Sequence, residues 1–406
     1  MKDVVDVHAV VRDLAVRARS ASALLVRMTT AEKNALLQRI AEMLEARHDV
    51  IVAANERDVA QARANGLSEA MVDRLELTEV RFRGMVEGVQ TVAQLADPVG
   101  ETIWARKRPS GITIRKVRVP FGVIAVVFES RPNVLVDTAA LCLKTGNAVV
   151  LRGGKEAIET NRVLAQTVKE GLGDWAEAVQ FVDILDHAAV RELVRAVGLV
   201  DVAIPRGGER LIRAMCEAAL VPVLKHYKGV CHVYVDDKAD LAMALAILDN
   251  AKVQRPSACN AAECLLVHEK LAPIFLPMVR AWAKDRGVTL HDGADVDWER
   301  EFLSLEMNVG TVRDYRAAID HVNRHASHHS DCIVTNDASR AQEFLRDVDS
   351  ACVYHNVSTR FTDGGEFGMG AEIGISTDKL HARGPMGLEE LTTYKYLVTG
   401  DGVVRR

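Results

Sequence analysis

Cys259 is the side chain of this sequence whose surroundings best suit nucleophilic chemistry. It follows the polar turn around Pro256 and precedes the apolar stretch AECLLVH, so we expect it in a loop that faces a cleft at the start of a strand. The thiolate is the nucleophile, so such a site must lower the pKa of the cysteine from about 8.5 with nearby dipoles or cations. Cys264, inside the apolar stretch, has the pattern of an inert core thiol. On the sequence alone, a core role is also an alternative for Cys259.

The segment Arg152–Glu156 (RGGKE) combines two cations and two glycines between an apolar strand and a helix. Backbone N–H groups and the helix dipole favour an anion at such a helix start, so Arg152 and Lys155 would reach a phosphate or a ribose there. A tight turn with solvated charges explains the same residues equally well. The segment lacks the spacing of a P-loop, and the glycines within 365–370 lack the order of GxGxxG. Neither ATP binding nor the ordinary dinucleotide fingerprint is therefore predicted.

Histidines cluster at His325, His328 and His329, but no carboxylate or thiolate stands at a metal-ligand spacing from them. A polar loop is the better interpretation of this cluster. His226 and His232 match no recognised metal pattern either. The sequence therefore predicts no metal site.

A sheet is needed to position these segments. From Pro120 onward, short apolar strands alternate with amphipathic helices, which predicts an α/β fold with a doubly wound parallel sheet buried on both faces. Ligands bind at the carboxyl ends of the strands in such sheets. Here those ends carry the segments ESRPN, RGGKEA and PRGG.

The same alternation predicts the domain boundaries. We expect a first α/β domain over 1–102 and 120–250, and a second α/β domain over 251–380. Residues 103–119 have the pattern of a two-stranded hairpin, and 381–406 end in a strand rich in Thr, Val and Tyr. A lone terminal strand must pair either with this hairpin or with another subunit. Hairpin and strand together form an expected oligomerisation element and favour a homo-oligomer.

Composition excludes several classes of protein. The net charge is −5, from 51 Lys and Arg against 56 Asp and Glu, which argues against nucleic acid or an anionic membrane as the main partner. Seven cysteines without a CxxC pair indicate reduced thiols rather than a disulfide framework. No apolar run approaches the ~18 residues of a membrane-spanning helix. These observations predict a soluble cytoplasmic protein.

The motifs, taken together, resemble those of the γ-glutamyl phosphate reductases (glutamate-5-semialdehyde dehydrogenases), a branch of the aldehyde dehydrogenase superfamily. The resemblance covers essentially the whole chain, and it rests on PFGVIAVVFESRPN, GNAVVLRGGKEA, AIPRGG, KHYKGVCHVYVD, QRPSACNAAE and FGMGAEIGISTDKLHARGP. It implies an aldehyde dehydrogenase-like fold, with NADP(H) bound by the first domain and the nucleophile carried by the second. It also implies an activity: NADPH-dependent reduction of γ-glutamyl phosphate to L-glutamate 5-semialdehyde and phosphate through a cysteine thioester, the second step of L-proline biosynthesis.

The resemblance further implies roles for individual residues. Cys259 matches the catalytic thiol, and Asn133 matches the side-chain amide that holds the oxyanion together with the backbone N–H of Cys259. Arg152 and Lys155 match the segment that holds the adenosine ribose and its 2′-phosphate. The remaining cofactor residues are Pro205, Arg206, Gly207 and Gly208, near the dinucleotide phosphates, and Glu306, on the nicotinamide ribose.

One departure from the wider superfamily is informative. Hydrolytic members carry a general-base Glu in a segment that reads roughly ELGG, whereas this chain has His226–Gly229 (HYKG) there. Without a carboxylate to activate water, the thioester is kept for phosphate, which the basic segment 225–228 suits. Transfer of the acyl group to coenzyme A is the alternative within enzymes. A catalytically silent scaffold for a glutamate kinase is the alternative outside them, and association with that kinase is expected because acyl phosphates are labile.

Overall fold

The computed structural model describes residues 6–293 and 296–405, which form two compact units. The first unit comprises Met1–Lys225, Met369–Gly374 and Met386–Arg406, and the second comprises His226–Gly368 and Ile375–Pro385. The predicted boundary between 250 and 251 is therefore wrong. The strand Cys231–Val235 belongs to the sheet of the second unit, because it pairs with Ala262–His268, the strand that follows Cys259. The helix Leu241–Val253 packs on that sheet.

Helices open the first unit. They are α1 (Val7–Leu25), α2 (Thr30–Ala46), α3 (His48–Ala64), α4 (Glu69–Leu75) and α5 (Glu79–Gln94). The start of α2 shows why these segments are helical. Thr29 accepts a hydrogen bond from the backbone N–H of Glu32 at 3.3 Å, and the Glu32 carboxylate accepts from the N–H of Thr29 at 2.7 Å. This capping box satisfies two donors that a helix start otherwise leaves unpaired.

The predicted hairpin forms and pairs with the end of its own chain. Strands β1 (Thr102–Lys107) and β2 (Thr113–Pro120) are antiparallel, and the last strand, β15 (Thr392–Thr399), pairs antiparallel with β2 from Thr392↔Pro120 to Thr399↔Thr113. The resulting sheet has the order β1-β2-β15. Of the two pairings that the sequence left open for the terminal strand, the chain uses the one with the hairpin.

A parallel sheet forms the centre of the first unit, as predicted. Its strands are β3 (Val123–Phe128), β4 (Ala148–Arg152), β5 (Val179–Phe181) and β6 (Val202–Arg206), in the order β5-β4-β3-β6. Their helices are α6 (Asn133–Lys144), α7 (Ile158–Leu172), α8 (Ala188–Val194) and α9 (Glu209–Ala218). Every residue of β3 and β4 is buried, which explains their continuous apolar sequence.

The second unit contains a six-stranded parallel sheet in the order β12-β11-β7-β8-β10-β9. Its strands are β7 (Cys231–Val235), β8 (Ala262–His268), β9 (Thr289–His291), β10 (Glu306–Val312), β11 (Ser330–Val334) and β12 (Cys352–His355). Helices α10 (Leu241–Val253) and α11 (Ala272–Arg286) cover one face, and α12 (Tyr315–His325) and α13 (Ala338–Asp347) cover the other. Two short strands, β13 (Gly374–Ser376) and β14 (Gly384–Met386), pair with each other.

Candidate active site

Cys259 meets two histidines at the amino ends of three neighbouring strands of the second unit. It lies just before β8, His329 lies directly before β11, and His226 lies a few residues before β7, which runs between those two strands. Because the strands are parallel, their amino ends share one edge of the sheet. The Sγ of Cys259 and one ring nitrogen of each histidine lie within 4.8 Å of one another.

These histidines make the thiol acidic. Burial raises the pKa of Cys259, but the nearby imidazoles of His329 and His226 lower it by more, so the pKa lies well below its ordinary value. Cations and hydrogen-bond donors favour the thiolate because they stabilise its charge. Cys259 also remains partly exposed. An acidic thiol on a partly exposed residue suits a cysteine nucleophile.

Hydrogen bonds fix both imidazole rings. His226 Nδ1 lies 2.8 Å from the carbonyl oxygen of Ile375, and because a carbonyl only accepts, Nδ1 carries a proton in either charge state of the ring. His329 is fully buried, with Nδ1 at 2.8 Å from Ser330 Oγ and with its Nε2 in no hydrogen bond to the described residues. The ring centroids are 5.5 Å apart at 73°. Both rings are therefore held beside the thiol.

Gly229 fixes the loop of the nucleophile. A Cβ at this position would lie 1.7 Å from the carbonyl oxygen of Cys259, so only glycine fits. The Gly229 N–H donates to Glu301 Oε1 at 2.7 Å. Burial raises the pKa of Glu301; the Gly229 N–H opposes this rise, and the Cys259 thiolate adds to it. A carboxylate thus lies near the thiol, although the segment 226–229 supplies none.

A second segment also holds the loop that carries Cys259. Arg360 Nε donates to Gln254 Oε1 at 2.8 Å, and its guanidinium also bonds the side chain of Asn260. Asn260 in turn donates to the carbonyl oxygen of Thr362 at 2.8 Å. Burial lowers the pKa of Arg360, Arg255 lowers it further, and the Cys259 thiolate opposes this lowering. Arg360 also lines a cavity of about 680 Å³, together with Asn250, Gln254, Asn356, Asp363 and Glu366.

In the first unit, the segments predicted to bind the cofactor meet at one edge of the parallel sheet. The order β4-β3-β6 brings together the carboxyl ends of these strands, where the chain continues with Gly153, Glu129 and Gly207. The Gly208 N–H donates to Glu129 Oε2 at 2.9 Å, and a Cβ on Gly207 would lie 2.3 Å from that oxygen. Glycine at this turn therefore lets the Glu129 carboxylate approach the backbone closely, and a ligand phosphate would have to replace that carboxylate on the Gly208 N–H.

The two predicted cations of this edge differ in exposure. Arg152 is buried; its Nη2 donates to the carbonyl oxygen of Leu185 at 3.0 Å, and its Nε has no hydrogen-bond partner among the described residues. Burial lowers the pKa of Arg152, against the charges of Glu156 and Glu129. Lys155 is exposed. An orphaned guanidinium N–H, an exposed ammonium group and a glycine turn fit an anionic dinucleotide.

Asn133 and the end of β6 complete the predicted set in this unit. Asn133 begins α6, and its Nδ2 donates to Asp137 Oδ2 at 2.8 Å. The side-chain amide has two N–H groups, and this hydrogen bond uses one of them. Burial raises the pKa of Asp137 to about 6, opposed by Asn133 and Arg206. Arg206, which follows Pro205 at the end of β6, packs against Gly374: a Cβ there would lie 2.7 Å from Arg206 Nη1.

Comparison with known proteins identifies the family of the chain. A sequence model described as the aldehyde dehydrogenase family matches residues 5–298. The chain is 51% identical over 411 residues to a γ-glutamyl phosphate reductase of Desulforamulus reducens, covering 97% of this chain and 99% of the relative. It is 48% identical over 412 residues to that of Escherichia coli O157:H7, with the same coverage. The chain belongs to the aldehyde dehydrogenase family, and within it to the γ-glutamyl phosphate reductases.

Solved structures support the assignment of the fold. The crystal structure of the γ-glutamyl phosphate reductase of Thermotoga maritima matches with a TM-score of 0.95 at 42% identity, over 98% of this chain and all of that one. An acetylating aldehyde dehydrogenase of Geobacillus thermoglucosidasius matches with a TM-score of 0.71 at 15% identity, over the whole of both chains. That second likeness shows the fold alone. The predicted aldehyde dehydrogenase-like α/β fold is thereby confirmed.

As a γ-glutamyl phosphate reductase, the protein is an oxidoreductase that acts on a small molecule with a nicotinamide cofactor. The carboxyl edge of the first unit's sheet fits such a cofactor, because Arg152, whose Nε is unpaired among the described residues, and the exposed Lys155 lie there beside the turn of Gly207 and Gly208. Among the helices that the structure describes, none has both the length and the apolar character needed to cross a membrane.

Glu306, the residue matched to the nicotinamide ribose on resemblance, lies at the amino end of β10. Its carboxylate bonds His291 Nε2 at 3.0 Å and accepts from Ser304 Oγ at 2.9 Å. The hydrogen bonds of Ser304 and His291 lower the pKa of Glu306. Among the described contacts, Glu301 rather than Glu306 interacts with Cys259, and the role of Glu306 in this γ-glutamyl phosphate reductase stays a prediction.

The polar loop predicted for the histidine cluster is wrong for His329, which is fully buried beside the thiol. One signal in the sequence of this γ-glutamyl phosphate reductase pointed there. His329 directly precedes the apolar stretch SDCIV, just as Cys259 shortly precedes AECLLVH. Glu301 lies in an irregular segment without such a signal.

Proposed function

We propose that the chain reduces γ-glutamyl phosphate to L-glutamate 5-semialdehyde and phosphate with NADPH, the second step of L-proline biosynthesis. The observation that carries the proposal is the cysteine between two imidazoles, an activated nucleophile of the kind that acyl transfer requires. The name carried by relatives at 48 to 51% identity supplies the substrate. In the reverse direction the protein is a phosphorylating semialdehyde dehydrogenase.

The first step forms the thioester. The Cys259 thiolate attacks the γ-carbonyl carbon, the C–S bond forms, the bond between that carbon and the phosphate oxygen breaks, and inorganic phosphate leaves with the electron pair. The side-chain amide of Asn133 and the backbone N–H of Cys259 hold the oxyanion of the tetrahedral intermediate. One such donor is typically worth about 10²–10³ in rate.

The second step releases the aldehyde. NADPH, when bound, supplies the hydride that reduces the acyl carbon of the thioester. The carbon–sulfur bond then breaks, and the electron pair returns to Cys259 as a thiolate. His329 and His226 favour this departure because they stabilise the thiolate, and a sulfur with a lower pKa leaves faster.

The cofactor is held by the first unit in this proposal. Lys155, the exposed cation, contacts the 2′-phosphate that distinguishes NADPH from NADH. Buried Arg152 contacts the adenosine ribose, and Pro205–Gly208 form the turn near the dinucleotide phosphates, with the aid of the helix dipole of α9. Glu306 is assigned to the nicotinamide ribose on resemblance alone.

Assembly and location belong to the same proposal. The sheet β1-β2-β15 carries exposed Tyr394, Tyr396 and Val398 on its terminal strand, which supports a homo-oligomer formed through this sheet. Acyl phosphates are labile, so direct transfer from a glutamate kinase would protect the substrate. We assign the protein to the cytoplasm, where its seven cysteines stay reduced.

Oxidation of glutamate semialdehyde with NADP⁺, followed by NADPH absorbance, tests the proposal. We expect turnover that requires phosphate and disappears in Cys259→Ser, while Cys216→Ser, a change at a partly exposed thiol on α9, keeps it. Turnover that requires coenzyme A instead of phosphate would identify a different acyl acceptor. Substantial residual turnover in Cys259→Ser would exclude this cysteine as the nucleophile.

A further inference from the structure

We propose that Cys259, His226 and His329 also form a reversible binding site for a borderline-soft divalent cation, Zn²⁺ being the type case, and that the bound cation blocks the nucleophile. The inference uses the same side chains as the proposed function, but it does not depend on the identity of the acyl substrate.

The spacing of the three ligand atoms suits one metal ion. All three lie within 4.8 Å of one another. A point between three atoms so placed is at most about 2.8 Å from each, against about 2.3 Å for Zn–S and about 2.0–2.1 Å for Zn–N. Closing that difference requires each ligand atom to move by at most about 0.8 Å toward the ion. The amino ends of β7, β8 and β11 supply one ligand each, so the set is held by three strands of one sheet.

The donor chemistry also suits Zn²⁺. A thiolate and two imidazoles bind zinc in preference to calcium or magnesium, which favour oxygen ligands. Histidines that bind metals almost always donate their other ring N–H to a carbonyl, carboxylate or water, and His226 Nδ1 does so to the Ile375 carbonyl. Nε2 of His226 is therefore the nitrogen that would bind the metal, after release of the proton that it carries in the charged ring.

His329 provides an independent observation. Its side chain is fully buried, Nδ1 is engaged by Ser330 Oγ, and Nε2 is buried without a hydrogen-bond partner among residues 6–293 and 296–405. A buried ring nitrogen in this state costs free energy unless something binds to it. A cation shared with Cys259 would satisfy it.

A carboxylate close to the three ligand atoms also favours a bound cation. The carboxylate of Glu301 interacts electrostatically with Cys259, His226 and His329, which adds negative charge near a bound dication. Three protein ligands leave a fourth position open, as in zinc sites that exchange a water. The sulfur lone pair that would attack the substrate is occupied by the metal, so the loaded protein is inactive until a chelator removes the ion.

A competing group of ligands exists in the second unit. Ligand atoms of Asp236, Asp237 and His268 also lie within 4.8 Å of one another. Arg340, however, bonds both carboxylates, and Lys270 Nζ lies 3.9 Å from Asp237. These cations already neutralise the carboxylates, so this group serves as a control site.

The test measures Zn²⁺ affinity of the full chain against a chromogenic chelator, and separately the rate at which iodoacetamide alkylates Cys259. We expect one Zn²⁺ per wild-type chain, the same affinity in Cys216→Ser and Asp237→Asn, and binding more than about tenfold weaker in Cys259→Ser and His329→Ala. Zn²⁺ should slow alkylation of the wild-type protein, and the chelator should restore the rate. Cobalt should give a thiolate charge-transfer band that Cys259→Ser lacks.

Unchanged affinity in Cys259→Ser and His329→Ala, or binding lost in Asp237→Asn, would overturn the site. The alkylation measurement uses only wild-type protein, so a variant that fails to fold does not remove the test: unimpeded alkylation in saturating Zn²⁺ refutes the inference. If the zinc-free protein shows phosphate-dependent turnover but does not bind Zn²⁺, only this inference is refuted. If the protein binds Zn²⁺ but shows no turnover when it is zinc-free, only the proposed function is refuted.

Discussion

Gly229 and Cys259 are in direct backbone contact: a Cβ on Gly229 would lie 1.7 Å from the Cys259 carbonyl oxygen and 2.8 Å from its Cα. The same glycine donates its N–H to Glu301. The position of the nucleophile therefore depends on a glycine. This glycine lies in the segment 226–229, where the sequence resemblance predicts a difference from the hydrolytic members of the superfamily.

Gly229→Ala should displace the loop of Cys259, because the added methyl group meets backbone atoms that have no flexible end to yield. A displacement of about 1 Å at a reacting atom can cost 10²-fold in rate, so we expect a fall of about that size in kcat. Steady-state kinetics with NADP⁺ and phosphate measure it. Gly84→Ala, on helix α5 with nothing within 4 Å of its Cβ position, should keep wild-type kcat. Equal rates in both variants would contradict the positioning role.

His329→Ala should raise the pKa of the Cys259 thiol, because it removes an imidazole whose charge stabilises the thiolate. The group has a depressed pKa in the wild type, so the thiolate persists as pH falls toward that pKa and is protonated below it. The variant loses its thiolate at a higher pH. The rate of iodoacetamide alkylation against pH reports the midpoint directly, without dependence on substrate binding.

A midpoint that stays unchanged in His329→Ala would exclude the imidazole as the source of the acidity. His291→Ala provides the matched control, because His291 bonds Glu306 on the neighbouring part of the sheet and is not among the main causes of the shift in the thiol pKa. We expect no shift there.

Local pattern in the sequence accounts for much of this fold. Continuous apolar stretches predict β3 and β4, and the cations and glycines that follow them predict the edge where Arg152 and Lys155 lie. These features depend on periodicity and on the rule that parallel strands share an edge. Cys259 was identifiable because a polar turn and an apolar strand flank it in sequence.

Pairing between distant segments explains what the sequence could not predict. The predicted boundary after 250 assigns β7 to the first domain, yet β7 pairs with β8 and β11 of the second unit. The burial of His329 depends on that same pairing. Glu301 reaches Gly229 across 72 positions of the chain, and no local motif marks such a contact.

Asn133→Ala should lower kcat by about 10²-fold with little effect on the KM for the cofactor, because an oxyanion donor acts in the transition state. Asp137 accepts from the Asn133 amide, so Asp137→Asn should cause a smaller loss through orientation of that amide. Kinetics of both variants, measured at saturating phosphate, separate the two effects. A change in KM without a change in kcat would remove Asn133 from the oxyanion site.

Lys155→Ala should raise the KM for NADPH by up to about fivefold and leave the KM for NADH unchanged, because an exposed ammonium group paired with the 2′-phosphate contributes at most about 1 kcal/mol, and about 1.4 kcal/mol corresponds to tenfold. Lys169→Ala is the matched control: Lys169 lies on α7 and bonds Gln180, away from the strand ends that carry the glycines. Initial rates with each cofactor over a range of salt concentrations measure the effect, which should shrink at high salt because exposed charges are screened. Equal losses for NADPH and NADH would remove Lys155 from recognition of the 2′-phosphate and leave the buried guanidinium of Arg152 as the remaining candidate of the pair.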